Sequence, residues 1–121
     1  MKEKFHGIHL ISNFYDCKCI DQYYKDEYYI KQWIIQIIKD SGLTILGDLF
    51  YSFGENVGFT GMIVLAESHV AIHTWPELKK VDCDVYVCNV TQDNSLKAEY
   101  IYLALKDLYQ PENENFYKIK R

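Results

Sequence analysis

Residues 67–77 read Glu-Ser-His-Val-Ala-Ile-His-Thr-Trp-Pro-Glu and bring a hydroxyl, two imidazoles and two carboxylates into eleven positions. No other stretch of the chain approaches that density of reactive side chains. Ser68 offers a nucleophilic oxygen, and His69 and His73 offer groups that exchange protons near neutral pH. A lone serine is almost always a hydrogen-bonding hydroxyl, so the grouping, not the residue, points to chemistry. If residues 69–75 are extended, His69, Ala71 and His73 face one way and Val70, Ile72 and Thr74 the other, so the two imidazoles can share a site. Histidines four apart on a helix would suggest a zinc pair. Here the β-branched neighbours argue for a strand and no third ligand follows at the expected spacing, so no metal is expected.

The elements that must position this segment are legible in the periodicity. Residues 8–15 alternate as a strand. From about 21 to 40, Tyr23, Tyr24, Tyr28, Ile30, Trp33, Ile34, Ile37 and Ile38 recur at the steps of a one-faced helix, which Ser41-Gly42 ends. Strands are predicted at 43–53, 59–67, 70–75 and 84–90, with turn chemistry at 54–58 and 76–80. A second helix, capped by Asn94 or Ser95, covers about 95–109, and a last strand 116–120. Short turns between consecutive strands favour a largely antiparallel sheet with two helices on one face, an α/β (α+β) two-layer sandwich. The opposite face is then free for a partner.

The 121 residues suit a single domain, and 49% apolar with 16% aromatic content is a core-forming composition. Seventeen acidic against thirteen basic residues, with no dense basic run, argue against nucleic acid or an anionic membrane as partner. MKEKFHGIHL carries no apolar run of signal length and no segment is long enough to span a bilayer, so a cytoplasmic location is expected. Cys17, Cys19, Cys83 and Cys88 are accordingly expected as thiols. Cys17-Lys18-Cys19 lacks the two-residue gap of a zinc or redox pair.

The string ESHVAIHTWPE, followed fifteen residues after its second His by the Cys of DVYVC, resembles the signature of the prokaryotic S-adenosylmethionine decarboxylase family. Gly7-Ile8-His9-Leu10, Gly58-Phe59-Thr60-Gly61 and the order of elements are similar to that family too. The resemblance implies that the Ser68 hydroxyl attacks the preceding carbonyl, that the chain breaks between Glu67 and Ser68, and that Ser68 becomes a pyruvoyl group. The products would be a β chain, 1–67, and an α chain, 68–121. Decarboxylating an amino acid leaves an electron pair on the α-carbon that ordinary side chains cannot accept, and a pyruvoyl group joined to the substrate as a Schiff base is an electron sink for it. By position, His73 matches the residue that abstracts a proton during processing and Cys88 the acid that reprotonates the α-carbon. A thiol suits that step because it is mostly protonated at neutral pH yet yields its proton to a carbanion. Phe53, Trp75 and Glu77 are the candidates for substrate binding, and a homodimer of αβ units is expected because one sheet face lacks a helix.

Where the family has an aromatic residue and Gly after Trp-Pro-Glu, this chain has Leu78-Lys79, and where it has Gly after the Cys, this chain has Asn89. Two alternatives follow. One is the same chemistry on arginine or ornithine, with Asp82, Asp84 or Glu55 pairing the distal cation; the other is a silent paralogue that regulates an active partner.

Overall fold

The computed structural model describes residues 5–121. The Met1–Lys4 part of the N-terminal reading lies outside the described residues. A six-stranded sheet is formed by β1 (Gly7–Cys17), β2 (Ile45–Ser52), β3 (Phe59–Leu65), β4 (Ser68–Trp75), β5 (Lys80–Cys88) and β6 (Pro111–Lys120). Its spatial order is β2-β3-β4-β5-β1-β6 and every pairing is antiparallel. The helices are α1 (Gln22–Lys25), α2 (Glu27–Ser41) and α3 (Ser95–Tyr109), and Pro76–Leu78 forms a 3-10 turn. No helix among the described residues is long and apolar enough to cross a membrane.

The two-layer antiparallel sandwich expected from the sequence is the observed fold, with three helical segments instead of two. Asp26 causes the difference: its carboxylate accepts the Tyr29 N–H at 2.9 Å, and its φ of −93° and ψ of 87° leave the helical region. It therefore caps α2 inside the stretch read as one helix, a role its short acceptor side chain favours. Gly42, at φ 90°, closes α2. β5 begins at Lys80 rather than 84 and β6 at Pro111 rather than 116. Both early halves carry polar residues that periodicity cannot assign, and cross-strand pairing decides them.

The helix-facing side of the sheet holds the core. Ile8, Leu10 and Phe14 of β1, Val70 and Ile72 of β4, and Val81, Val85 and Val87 of β5 alternate inward to meet Ile30, Ile34 and Ile38 of α2 and Ile101 and Leu105 of α3, all at most 5% exposed. Gly58 is required by packing, since a Cβ there would strike the Thr74 carbonyl. One polar knot ties β6 to this layer: Glu114 accepts from Ser12 Oγ at 2.8 Å and Tyr102 OH at 2.6 Å and pairs with Lys106 at 2.7 Å. Burial raises its pKa, but these donors outweigh burial and hold the carboxyl below its ordinary value.

Among the described residues, no helix lies over the opposite side. Leu49, Tyr51, Met62, Val64, Tyr117 and Ile119 lie there between 43% and 71% exposed. They stand at the two edges of that face, Leu49, Tyr51, Met62 and Val64 on β2 and β3 and Tyr117 and Ile119 on β6.

Candidate active site

Ser68 opens β4 directly after the two-residue hairpin Ala66–Glu67. It is 8% exposed, and its Oγ accepts the backbone N–H of Cys88, the last residue of β5, at 3.2 Å. Glu67, on the other side of the bond expected to break, has φ 60°. That left-handed conformation is one that Gly or Asn normally supplies at a tight turn, and it costs a side-chain-bearing residue about 1–2 kcal/mol. The bond between Glu67 and Ser68 thus joins a strained residue to a buried, hydrogen-bonded hydroxyl.

Cys88 is half-buried, and its carbonyl accepts Asn94 Nδ2 at 2.8 Å. Asn94 is the N-cap residue of α3 by position, but its side chain is spent on this carbonyl, and Asp93 takes the Ser95 N–H instead at 2.9 Å. Asn89 accepts the Asn94 N–H at 2.7 Å and donates to Ser95 Oγ at 3.1 Å. A glycine could make neither side-chain bond, so here Asn89 builds the turn behind the cysteine.

At the other end of β4, His73 sits across from Thr60 and Asp82, with its Nδ1 3.1 Å from Thr60 Oγ1. A cavity of about 310 Å³ opens there, lined by Phe53, Phe59, Thr60, His73, Trp75 and Glu77 among others. All three residues read as substrate-binding therefore meet at one place with His73, and Asp82, Asp84 and Glu55 do not line it. Glu77 stands in the 3-10 turn that Pro76 begins, and Lys79 ends that turn at φ 49°. At that left-handed position Lys79 carries a side chain where glycine would be unstrained.

His69 and His73 lie on one face, as read from the sequence, yet they do not share a site. Cross-strand neighbours claim each of them: His69 faces Tyr86 and stands 3.7 Å from Asp84, with His9 beyond it. Ser68 and His73, five residues apart along a strand that rises about 3.3 Å per residue, are separated by roughly 16 Å and point to opposite faces. One copy of the chain joins Ser68 to Cys88 and His73 to the cavity, and leaves the two groups apart. His9, Asp84 and Tyr86 are the residues that sequence reasoning did not place beside His69; the Gly7-Ile8-His9 stretch was the available signal. Gly7 has its own role, because a Cβ there would stand 2.8 Å from the Tyr86 hydroxyl.

A family model described as S-adenosylmethionine decarboxylase matches residues 8–121. The chain belongs to the S-adenosylmethionine decarboxylase family. It is 30% identical over 115 residues to an S-adenosylmethionine decarboxylase proenzyme of Archaeoglobus fulgidus, covering 95% of this chain and 96% of that protein. It is 34% identical over 89 residues to the proenzyme of Pseudomonas aeruginosa, where the match spans 74% of this chain and about half, 54%, of the relative. Among solved structures, the adenosylmethionine decarboxylase of Aquifex aeolicus superposes with a TM-score of 0.84 at 28% identity, covering 98% of this chain and 92% of that one. Within the decarboxylase family, then, this chain keeps the fold nearly end to end.

Proposed function

We propose that this chain cuts itself between Glu67 and Ser68 into β (1–67) and α (68–121) pieces, and that the pieces decarboxylate S-adenosylmethionine to the aminopropyl donor of spermidine synthesis. The observation that carries this is the Glu67–Ser68 junction: a left-handed residue followed by a buried hydroxyl oriented by the Cys88 N–H. Ser68 fits conversion to a pyruvoyl group because it is small, shielded from bulk water and next to a fixed backbone donor. That group, once formed, supplies the electron sink for carboxylate loss. The Cys88 N–H holds the oxygen of residue 68, and the Cys88 thiol, on the same residue, is the acid that returns a proton to the substrate α-carbon.

His73 acts from a second copy. Its distance from Ser68 within one chain exceeds any hydrogen bond, while the uncovered sheet face with its exposed apolar residues suits an isologous dimer. A two-fold axis lying parallel to that face and perpendicular to β4 packs the two faces together and lays the Ser68 end of one β4 against the His73 end of the other. The substrate then spans the interface, with the adenine against Phe53 and Trp75, the ribose at Glu77, and the sulfonium near the aromatic walls. This favours the adenosyl substrate over arginine or ornithine, whose cation would find Glu77 as the one acid lining the cavity among the described residues. Four free cysteines suit a reducing cytoplasm.

Intact mass and Edman degradation test the cleavage: two fragments are expected, with 68–121 blocked because a pyruvoyl group has no amine. A single chain after long incubation would overturn it and leave the silent-paralogue reading. Release of CO2 from carboxyl-labelled S-adenosylmethionine, arginine and ornithine at equal concentration tests the substrate, and activity on a basic amino acid alone would overturn that part.

A further inference from the structure

We infer that His9, His69 and Asp84 form a binding site for one borderline divalent ion of the Zn2+ class on the sheet face opposite the helices. The sequence offered His69 and His73 as a pair and no third ligand; strand pairing supplies a different set. His9 of β1 and His69 of β4 both lie opposite Tyr86 of β5, and Asp84 stands two residues along β5 on the same face. One ligand atom from each lies within 4.8 Å of the other two.

The Nε2 atoms of His9 and His69 are 3.6 and 3.7 Å from the two Asp84 oxygens. Those separations are too long for hydrogen bonds. They are close to the spacing of ligands on a tetrahedral ion, about 3.3–3.6 Å for bonds of about 2.0–2.2 Å. His9 Nε2 and Asp84 Oδ1 are moreover buried with no hydrogen-bond partner among the described residues, a cost that a bound ion would remove. Two imidazoles and one carboxylate, with the fourth position open to water, are a donor set for zinc and not for magnesium. Three paired strands hold the set in place before any ion arrives.

The Arg121 guanidinium is the opposing charge. It stacks on Tyr86 at 4.7 Å, and its Nη1 lies 3.5 Å from His9 Nδ1. Once Nε2 ligates an ion, Nδ1 carries the proton, so this exposed side chain must swing away, and it lowers affinity. If the chain is cut at Glu67–Ser68, a consequence that rests on the function proposed above, the ion joins His9 of one piece to His69 and Asp84 of the other.

Purified, chelator-treated protein should take up one Zn2+ per chain in calorimetry, and Co2+ should give the intense visible absorption of a four-coordinate site. His9→Gln, His69→Gln and Asp84→Asn should each weaken binding by about 10–100-fold or more, the scale of disturbing a metal site's supports. Arg121→Gln should strengthen it, and excess Mg2+ should not compete. Circular dichroism identifies any variant that fails to fold, and the remaining two carry the test. Absence of Zn2+ uptake by the wild type overturns the site. So does unchanged affinity in the folded ligand variants, or a thiolate-to-Co2+ charge-transfer band, which would put the ion on cysteines.

Discussion

The two ends of β4 carry the reactive residues and are built in opposite ways. At the Ser68 end the side chain is buried, a backbone N–H grips its oxygen, and the preceding residue is strained. At the His73 end the side chains line an open cavity with aromatic walls, and Phe53 is 60% exposed. One end pairs a strained residue with a held hydroxyl, and the other is an open receptacle that carries an imidazole, His73. An extended strand keeps them apart, and the proposed function therefore draws its two ends from two molecules.

The sharpest way to break this comparison is Ser68→Ala. It should stay one chain and lose all decarboxylation; two fragments from this variant on a gel would remove Ser68 from the chemistry. Next in size is a mixing experiment. His73→Ala alone should stall at the ester, detectable as fragments released by hydroxylamine. Co-expressed with Ser68→Ala, a fraction of the His73→Ala chains should then cut fully, because the partner lends its intact His73. If mixed dimers form by light scattering and mass but no pyruvoyl fragment appears, His73 does not act across copies.

Cys88→Ala separates holding from proton delivery at the Ser68 end. The backbone N–H survives the substitution, so cleavage should proceed at least in part while turnover falls by about 10²–10⁴-fold, the usual worth of a positioned acid. Near-normal turnover with correctly protonated product would remove the thiol from that role.

The smallest effects compare the strained residues that bracket β4. In a Ser68→Ala background, Glu67→Gly and Lys79→Gly should each stabilise the chain by about 0.5–1 kcal/mol in thermal melts, since both occupy left-handed backbone. With Ser68 intact, Glu67→Gly should slow self-cleavage and Lys79→Gly should not. Equal slowing by both would mean that the strain at Glu67 has no special part in breaking the bond.

The sequence by itself determined the sandwich, the reactive segment and its family. Those rest on local signals: the alternation of Val70, Ile72 and Thr74, the three- and four-residue steps of Ile30, Ile34 and Ile38, and the spacing of Ser68, His73 and Cys88. The helix break at Asp26 and the early start of β6 were poorly legible because polar residues take their conformation from partners far along the chain. Tertiary structure alone decided the neighbours. Pairing between β1, β4 and β5 put His9 and Asp84 beside His69, although 60 and 15 residues separate them in the chain. The same extended backbone moved His73 away from Ser68, because a strand spends its length in one direction and only cross-strand register, or a second molecule, brings distant side chains together.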